Sequence, residues 1–196
     1  MPTRTEIKAR TRRALLDAGR TLLVSEGLDA PSLDRICAEA GYTRGAFYVH
    51  FEDRDDFMAA VMETFLADYT AAIVKTADPG RDLERSIAAF VGGLLARQQE
   101  DIPLSLMLEG CARSERVRQR FVATVTNAIV MLAATAAAGA DAGVIRKDLD
   151  ATATAQTLIA CVFGVLALRQ AGLDADLDGM AHTLVRALQH SQEEPE

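Results

Sequence analysis

Tryptophan is absent from this 196-residue chain, and cysteine, histidine and proline are scarce, with three, three and five copies. Cys37, Cys111 and Cys161 are odd in number, far apart and without a CxxC pair. That spacing excludes a disulfide framework and fits a reducing compartment, with the thiols as small buried apolar groups. His50, His182 and His190 form no i, i+4 pair, so no metal centre is expected. Nor is there a Ser/His/Asp set or a glycine-rich phosphate loop to suggest catalysis or a bound cofactor. Pro2, Pro31, Pro79 and Pro195 lie at termini or apparent boundaries, and Pro103 follows the acidic break at Glu100 and Asp101. The long proline-free stretches are rich in Ala, Leu, Arg and Glu, and none alternates with period two for long. An all-α fold without sheet is therefore expected. Residues 4–20 lack the apolar run of a secretory signal, and the most apolar stretch, Leu158–Leu168, reads as too short to cross a bilayer. The expectation is a cytoplasmic protein with no membrane partner.

The net charge of −7 argues at first against nucleic acid, but its distribution does not. Residues 1–13 carry Arg4, Lys8, Arg10, Arg12 and Arg13 against Glu6. Residues 1–50 are net +2 and residues 51–196 net −9. A basic head on an acidic body is the asymmetry expected if only the head meets phosphate.

Apolar positions at helical spacing (Ile7, Ala14, Leu15, Ala18, Leu22, Leu23) predict a first helix from about Thr5 to Ser25, ended by Gly27. Ser32 is a good N-cap for a short second helix, Leu33 to Ala40. Gly41 breaks the pattern, and Thr43 caps a third short helix to about Phe51. A long fourth helix starts at Asp53, with Asp55 and Asp56 suited to its first turn. Past Asp78-Pro79-Gly80, helices are expected at about 81–99, 103–110, 114–138, 150–171 and 178–191, giving about nine in all. The domain boundary is expected at residue 52, with a basic head over 1–52 and an acidic helical body over 53–196.

Two short helices joined by a glycine-containing turn make a helix-turn-helix. Leu33, Ile36, Cys37 and Ala40 supply the apolar crossing, and Phe47 and Phe51, four apart, turn one face of the third helix to the core. On a 100° per residue wheel, Gly45 and Val49 point away from that face, flanked by Arg44, Ala46, Tyr48 and His50. A small residue at 45 permits close approach to DNA. Arg44 could reach a guanine edge or a phosphate, and Tyr48 and His50 could donate to phosphate oxygens. So short a helix should enter the major groove by its first residues.

The run Gly41-Tyr42-Thr43-Arg44-Gly45-Ala46-Phe47-Tyr48-Val49-His50-Phe51, then Asp53-Arg54, resembles the TetR family of bacterial regulators. The likeness covers residues 8–60; beyond them only the helix layout resembles the family, including the Gly143-Val144-Ile145-Arg146 turn. The resemblance implies a regulator, not an enzyme. A repressor is implied, bound as a homodimer to palindromic double-stranded DNA and released by a small effector. It assigns DNA contacts to Thr43, Arg44, Gly45, Tyr48 and His50, with Arg54 as a phosphate grip; Ser32, Arg35, Ala46 and Val49 complete the candidate DNA-contacting residues. Asp34 departs from the pattern, standing where some members carry a basic, base-reading residue.

The resemblance also implies an effector pocket in the body. Its candidates are Phe65, Tyr69, Phe90, Leu94, Met107, Cys111, Thr126, Asn127, Ile129 and Phe163, and an apolar or aromatic effector suits them. Thr126, Asn127 and Tyr69 stand out because a polar group on an apolar helix face needs a partner. The all-round apolar Leu158–Leu168 segment and the one-sided stripe after it suggest a dimer interface of Leu158, Val162, Val165, Leu166, Met180, Leu184 and Leu188. Two rival readings are weaker. Cys111, with Arg113 nearby to lower its pKa, could make a redox- or electrophile-sensing regulator. The Glu52–Asp56 carboxylates could hold a metal in an all-helical enzyme, although capping of the fourth helix explains them more simply.

Overall fold

A computed structural model describes residues 2–29, 31–76, 83 and 102–189 of the chain. Among these, eight helices and no strand are present. They are α1 (Arg4–Glu26), α2 (Leu33–Ala40), α3 (Arg44–Tyr48), α4 (Arg54–Thr76), α5 (Leu104–Arg113), α6 (Glu115–Asp141), α7 (Ala151–Gln170) and α8 (Leu177–Leu188). The all-α expectation holds. The helix expected at 81–99 lies outside the described residues except for Leu83.

By compactness the chain divides into one unit of residues 1–67 and 99–124 and a second of 68–98 and 125–196. The first unit includes residues 54–67 of α4, which supply part of its core. Phe57, Met58, Ala59, Ala60, Val61, Met62, Phe65 and Leu66 are all buried.

The first unit is built on α1, which begins one residue earlier than its apolar stripe suggests. Thr3 and Glu6 form a reciprocal capping box: the Glu6 amide donates to Thr3 Oγ1 (3.2 Å) and the Thr3 amide to Glu6 Oε2 (2.6 Å). These bonds satisfy amides that a helix start leaves unpaired. They also hold the Glu6 carboxyl below its ordinary pKa, the Thr3 amide more than the hydroxyl. Leu15, Leu16, Ala18, Gly19, Leu22 and Leu23 face the core, whereas Ile7, expected on that stripe, is 44% exposed. Gly19 is a contact point: a Cβ there would come within 2.8 Å of Phe57 Cε1 and 3.1 Å of Val61 Cγ2.

The acidic turn before α4 is tied to α6 by arginines. Asp53 caps α4 by accepting from the Asp56 amide (2.7 Å), and Asp56 in return accepts from the Glu52 amide (3.1 Å). Arg116 then pairs with Asp53 (3.2 Å) and Glu52 (3.4 Å), and Arg120 with Asp56 (2.6 Å) and Glu63 (3.4 Å). The capping expected of these acids is present, and their charges are matched by guanidinium groups on a helix remote in sequence.

In the second unit Leu132 and Ala155 pack with Ile129, Ala133 and Ile159. Val185 and Leu188 pack with Leu83, Leu149, Ala181 and Leu184. Ile145 seats itself against Gly139, 3.0 Å from where a Cβ would lie, and the Arg146 amide donates to the Leu188 carbonyl (2.8 Å). Asp150 caps α7 through the Ala153 amide (2.7 Å), and Asp176 caps α8 through the Gly179 amide (2.9 Å).

One expectation is corrected here. The apolar run judged too short to cross a membrane is part of a longer one. By length and composition alone, α6 and α7 are both long and apolar enough, yet only 17% and 22% of their apolar windows are buried within the chain. The 11-residue reading stopped at Leu158, but α7 starts at Ala151, and apolar alanines and uncharged Thr and Gln residues carry it up to that run.

The packing at two glycines predicts losses of different size. Gly19→Ala should lose about 1–3 kcal/mol, because the ring of fully buried Phe57 has no room to yield. Gly110→Ala meets the flexible end of Met62 (Cε, 2.5 Å) and gains helix propensity of about 1 kcal/mol. Its stability should stay within about 1 kcal/mol of the parent. Urea unfolding of both variants checks the order; equal losses would contradict the packing.

Candidate nucleic-acid interface

The turn between α2 and α3 follows from one residue. Gly41 adopts φ +74° and ψ 28°, the left-handed conformation that L side chains resist. This closes α2: the Gly41 amide donates to the Ala38 carbonyl (3.1 Å) and the Tyr42 amide to the Cys37 carbonyl (2.8 Å). Ser32 caps α2 through the Arg35 amide (3.2 Å), and Thr43 caps α3 through the Ala46 amide (3.4 Å). Both caps were legible in the sequence. The third helix is shorter than expected, ending at Tyr48 with Val49 as its C-cap.

A helix of five residues cannot persist by itself. Phe47 holds it: the side chain is fully buried, with ring centroids 5.2 Å from Phe51 and 5.3 Å from Phe57, which lie 5.0 Å from each other. Arg12 of α1 lies over the Phe51 ring at 5.4 Å from its centroid. With one face so fixed, the other is presented outward. Thr43, Arg44 and Gly45 are exposed, Tyr48 is 55% exposed and Val49 62%, while Ala46 and His50 are half-buried. Large exposed side chains such as Tyr48 and Val49 beside a buried aromatic cluster are the mark of a contact face.

The cationic residues of this face are already engaged. Arg44 makes a two-pronged pair with Asp34 of α2, Nε to Oδ1 at 2.5 Å and Nη2 to Oδ2 at 2.9 Å. Arg35 reaches Glu26 at 3.0 Å. Arg54, half-buried at the start of α4, donates through Nη2 to the Leu28 carbonyl. Sequence reasoning did not anticipate these partners, because each joins residues 9 to 26 apart along the chain. Burial, and after it Lys8 and Arg12, depress the His50 pKa and so disfavour the imidazolium on this face. A cleft of about 530 Å³ adjoins it, lined by Tyr48, Val49, His50, Phe51, Glu52, Asp56, Arg116 and Arg120.

The effector candidates are divided between the two units. Phe65, Met107 and half-buried Cys111 belong to the first, and Phe65 and Met107 are buried. Thr126, Asn127, Ile129 and Phe163 belong to the second. Thr126 and Asn127 are exposed, so water can meet the partner requirement that made them stand out. Phe90, Leu94 and the Tyr69 side chain lie outside the described residues. Of the interface candidates, Val165 and Leu188 are buried, and Leu158, Val162, Leu166, Met180 and Leu184 are half-buried.

Arg113, expected to lower the Cys111 pKa, pairs with Asp29 (2.6 Å) and Glu109 (2.5 Å). Burial raises the Cys111 pKa, with only a partial offset from Arg118, so the thiolate is disfavoured. Cys37 is buried, while Cys111 and Cys161 are half-buried.

Residues 15–61 match the sequence model of the family described as bacterial regulatory proteins, tetR family. The HTH-type transcriptional regulator YwcC of Bacillus subtilis is 43% identical over 53 residues, 27% of this chain and 24% of YwcC. The transcriptional repressor BepR of Brucella suis is 24% identical over 166 residues, 81% of this chain and 79% of BepR. Among solved structures, SmeT, the repressor of the Stenotrophomonas maltophilia multidrug efflux pump SmeDEF, has a TM-score of 0.65 at 26% identity. That likeness covers 89% of this chain and 86% of SmeT. The match to YwcC thus spans about a quarter of that relative's length.

His50 predicts a stability signature. Its folded-state pKa is depressed, so its contribution is full above the ordinary histidine value near 6.5 and is lost as pH falls below it. Thermal midpoints should therefore drop from pH 7 to pH 5, and His50→Gln should lose part of that slope. An unchanged slope in the variant would place the titration elsewhere.

Proposed function

This chain belongs to the TetR family of bacterial regulatory proteins, and from that premise we propose a cytoplasmic, sequence-specific DNA-binding repressor rather than an enzyme. The observation that carries the reading is the outward face of α3. Thr43, Arg44, Gly45, Tyr48 and Val49 are exposed on a short helix whose other face is locked by Phe47. Gly45 and Ala46 let the backbone approach the major groove, where Arg44 reads a base edge and Thr43, Tyr48 and His50 donate to phosphates. Ser32 and Arg35 contact the backbone from α2. Arg54, with one nitrogen on the Leu28 carbonyl, keeps the others for a phosphate.

The repressor acts as a homodimer on a palindromic operator, with two reading helices about one DNA turn apart. The uncovered apolar surface of α7 supports this, since burial against a second copy removes it from water. The half-buried Leu158, Val162, Leu166, Met180 and Leu184 meet the second copy, and Val165 and Leu188, already buried within the chain, pack beneath them. An apolar or aromatic effector bound in the body shifts α4, which begins at Arg54, and favours a state with lower DNA affinity. BepR and SmeT, both described as repressors, support the sign of regulation.

A duplex pool selected with the purified protein should yield a palindrome. Arg44→Ala should then weaken binding by about 1–3 kcal/mol per half-site, and Tyr48→Ala should weaken it as well. Electrophoretic shift of the selected duplex measures both, and unaltered affinity in the two variants would remove α3 as the reading helix. Light scattering should give twice the 21.1 kDa chain mass. Leu166→Asp should shift the protein toward monomer and weaken operator binding; a monomeric parent would end the dimer proposal.

A further inference from the structure

The two-pronged pair between Asp34 and Arg44 spans the helix-turn-helix, from the first turn of α2 to the first residue of α3. The Arg44 and Asp34 side chains are 56% and 71% exposed. An ion pair so wetted adds little to stability. Its consequence is geometric. A surface arginine has several soft torsions and loses entropy when it is ordered. Asp34 engages Nε and one hydrogen of Nη2, which sets the plane and direction of the guanidinium. Both hydrogens of Nη1 and the second of Nη2 stay available on the outer edge. Two donors on one planar edge match O6 and N7 of guanine. The carboxylate on the inner edge opposes a swing of Arg44 toward a neighbouring phosphate, and its charge opposes approach to any phosphate.

We infer that Asp34 is a specificity-determining positioning residue that aligns Arg44 for guanine and sacrifices non-specific affinity for base discrimination. The inference rests on the reading of α3 as the DNA-contacting helix. Without Asp34, Arg44 becomes a mobile cation that serves phosphates on any sequence. Discrimination should then fall while affinity for random DNA rises.

Binding sequences should be selected from a randomised duplex pool with the full-length parent, Asp34→Asn, Asp34→Ala, Arg44→Ala and Asp34→Ala/Arg44→Ala. The alanine variant guards against an asparagine oxygen that still holds Nε. The parent should select a guanine in each half-site. Both Asp34 variants should lose preference at that base alone, and the ratio of selected to random affinity should fall about tenfold. Affinity for random DNA should rise in both, and thermal midpoints should match the parent. In the Arg44→Ala background, Asp34→Ala should change discrimination no further. Retention of the guanine preference in both single variants would overturn the inference, as would an equal loss of discrimination with and without Arg44. Failure of the parent to select any sequence would instead overturn the DNA-binding reading, and this inference with it.

Discussion

Everything outward on the head depends on one inward side chain, Phe47. Five residues of helix have too few internal hydrogen bonds to offset the entropy of fixing them. Burying a phenylalanine contributes about 1.5–3 kcal/mol, and its contacts with Phe51 and Phe57 add to that. The cluster joins α3, the turn after it and α4 in one packed centre. Gly19 is part of the same constraint, since α1 must approach the Phe57 ring without a Cβ between them. Exposure of Tyr48 and Val49 follows from this geometry: with Phe47 pinned inward, the next two residues along the helix point out.

The head was legible in the sequence because its determinants are local. Ser32 and Thr43 announce helix starts, Gly41 announces the turn between them, and Phe47 and Phe51 at a spacing of four identify the inner face. The start of α1 was also local, but its Thr3–Glu6 box lies ahead of the apolar stripe by which that helix was recognised. The partners of Arg35, Arg44 and Arg54 were not legible, because each pairing is a tertiary event that no periodicity encodes. The same holds for Arg113. Its nearness to Cys111 in sequence suggested an activated thiol, yet its charge is spent on Asp29 and Glu109.

The body was legible as helices but not as surfaces. Ala, Leu and Val recur so densely along α6 and α7 that nearly every face looks like core, and periodicity cannot choose among them. Composition also makes Thr126 and Asn127 conspicuous where their exposure makes them ordinary. For an apolar helix, inner and outer faces are distinguished by what packs on it.

Charge on the reading face of the free head is therefore better described as a set of closed contacts, while Arg4, Lys8, Arg10, Arg12 and Arg13 keep the start of α1 basic. Arg35 rests on Glu26, Arg44 on Asp34 and Arg54 on a backbone carbonyl. A phosphate must compete for Arg35 against an existing carboxylate, and this lowers the gain from non-specific contact. The net −9 of residues 51–196 acts in the same direction by repelling DNA at long range. On the proposed DNA-binding reading, a head of modest charge on a strongly acidic body gains little from random duplex. On that reading, discrimination comes from the few contacts that fit one sequence, and a guanidinium held in one plane by a carboxylate suits that purpose better than a free one.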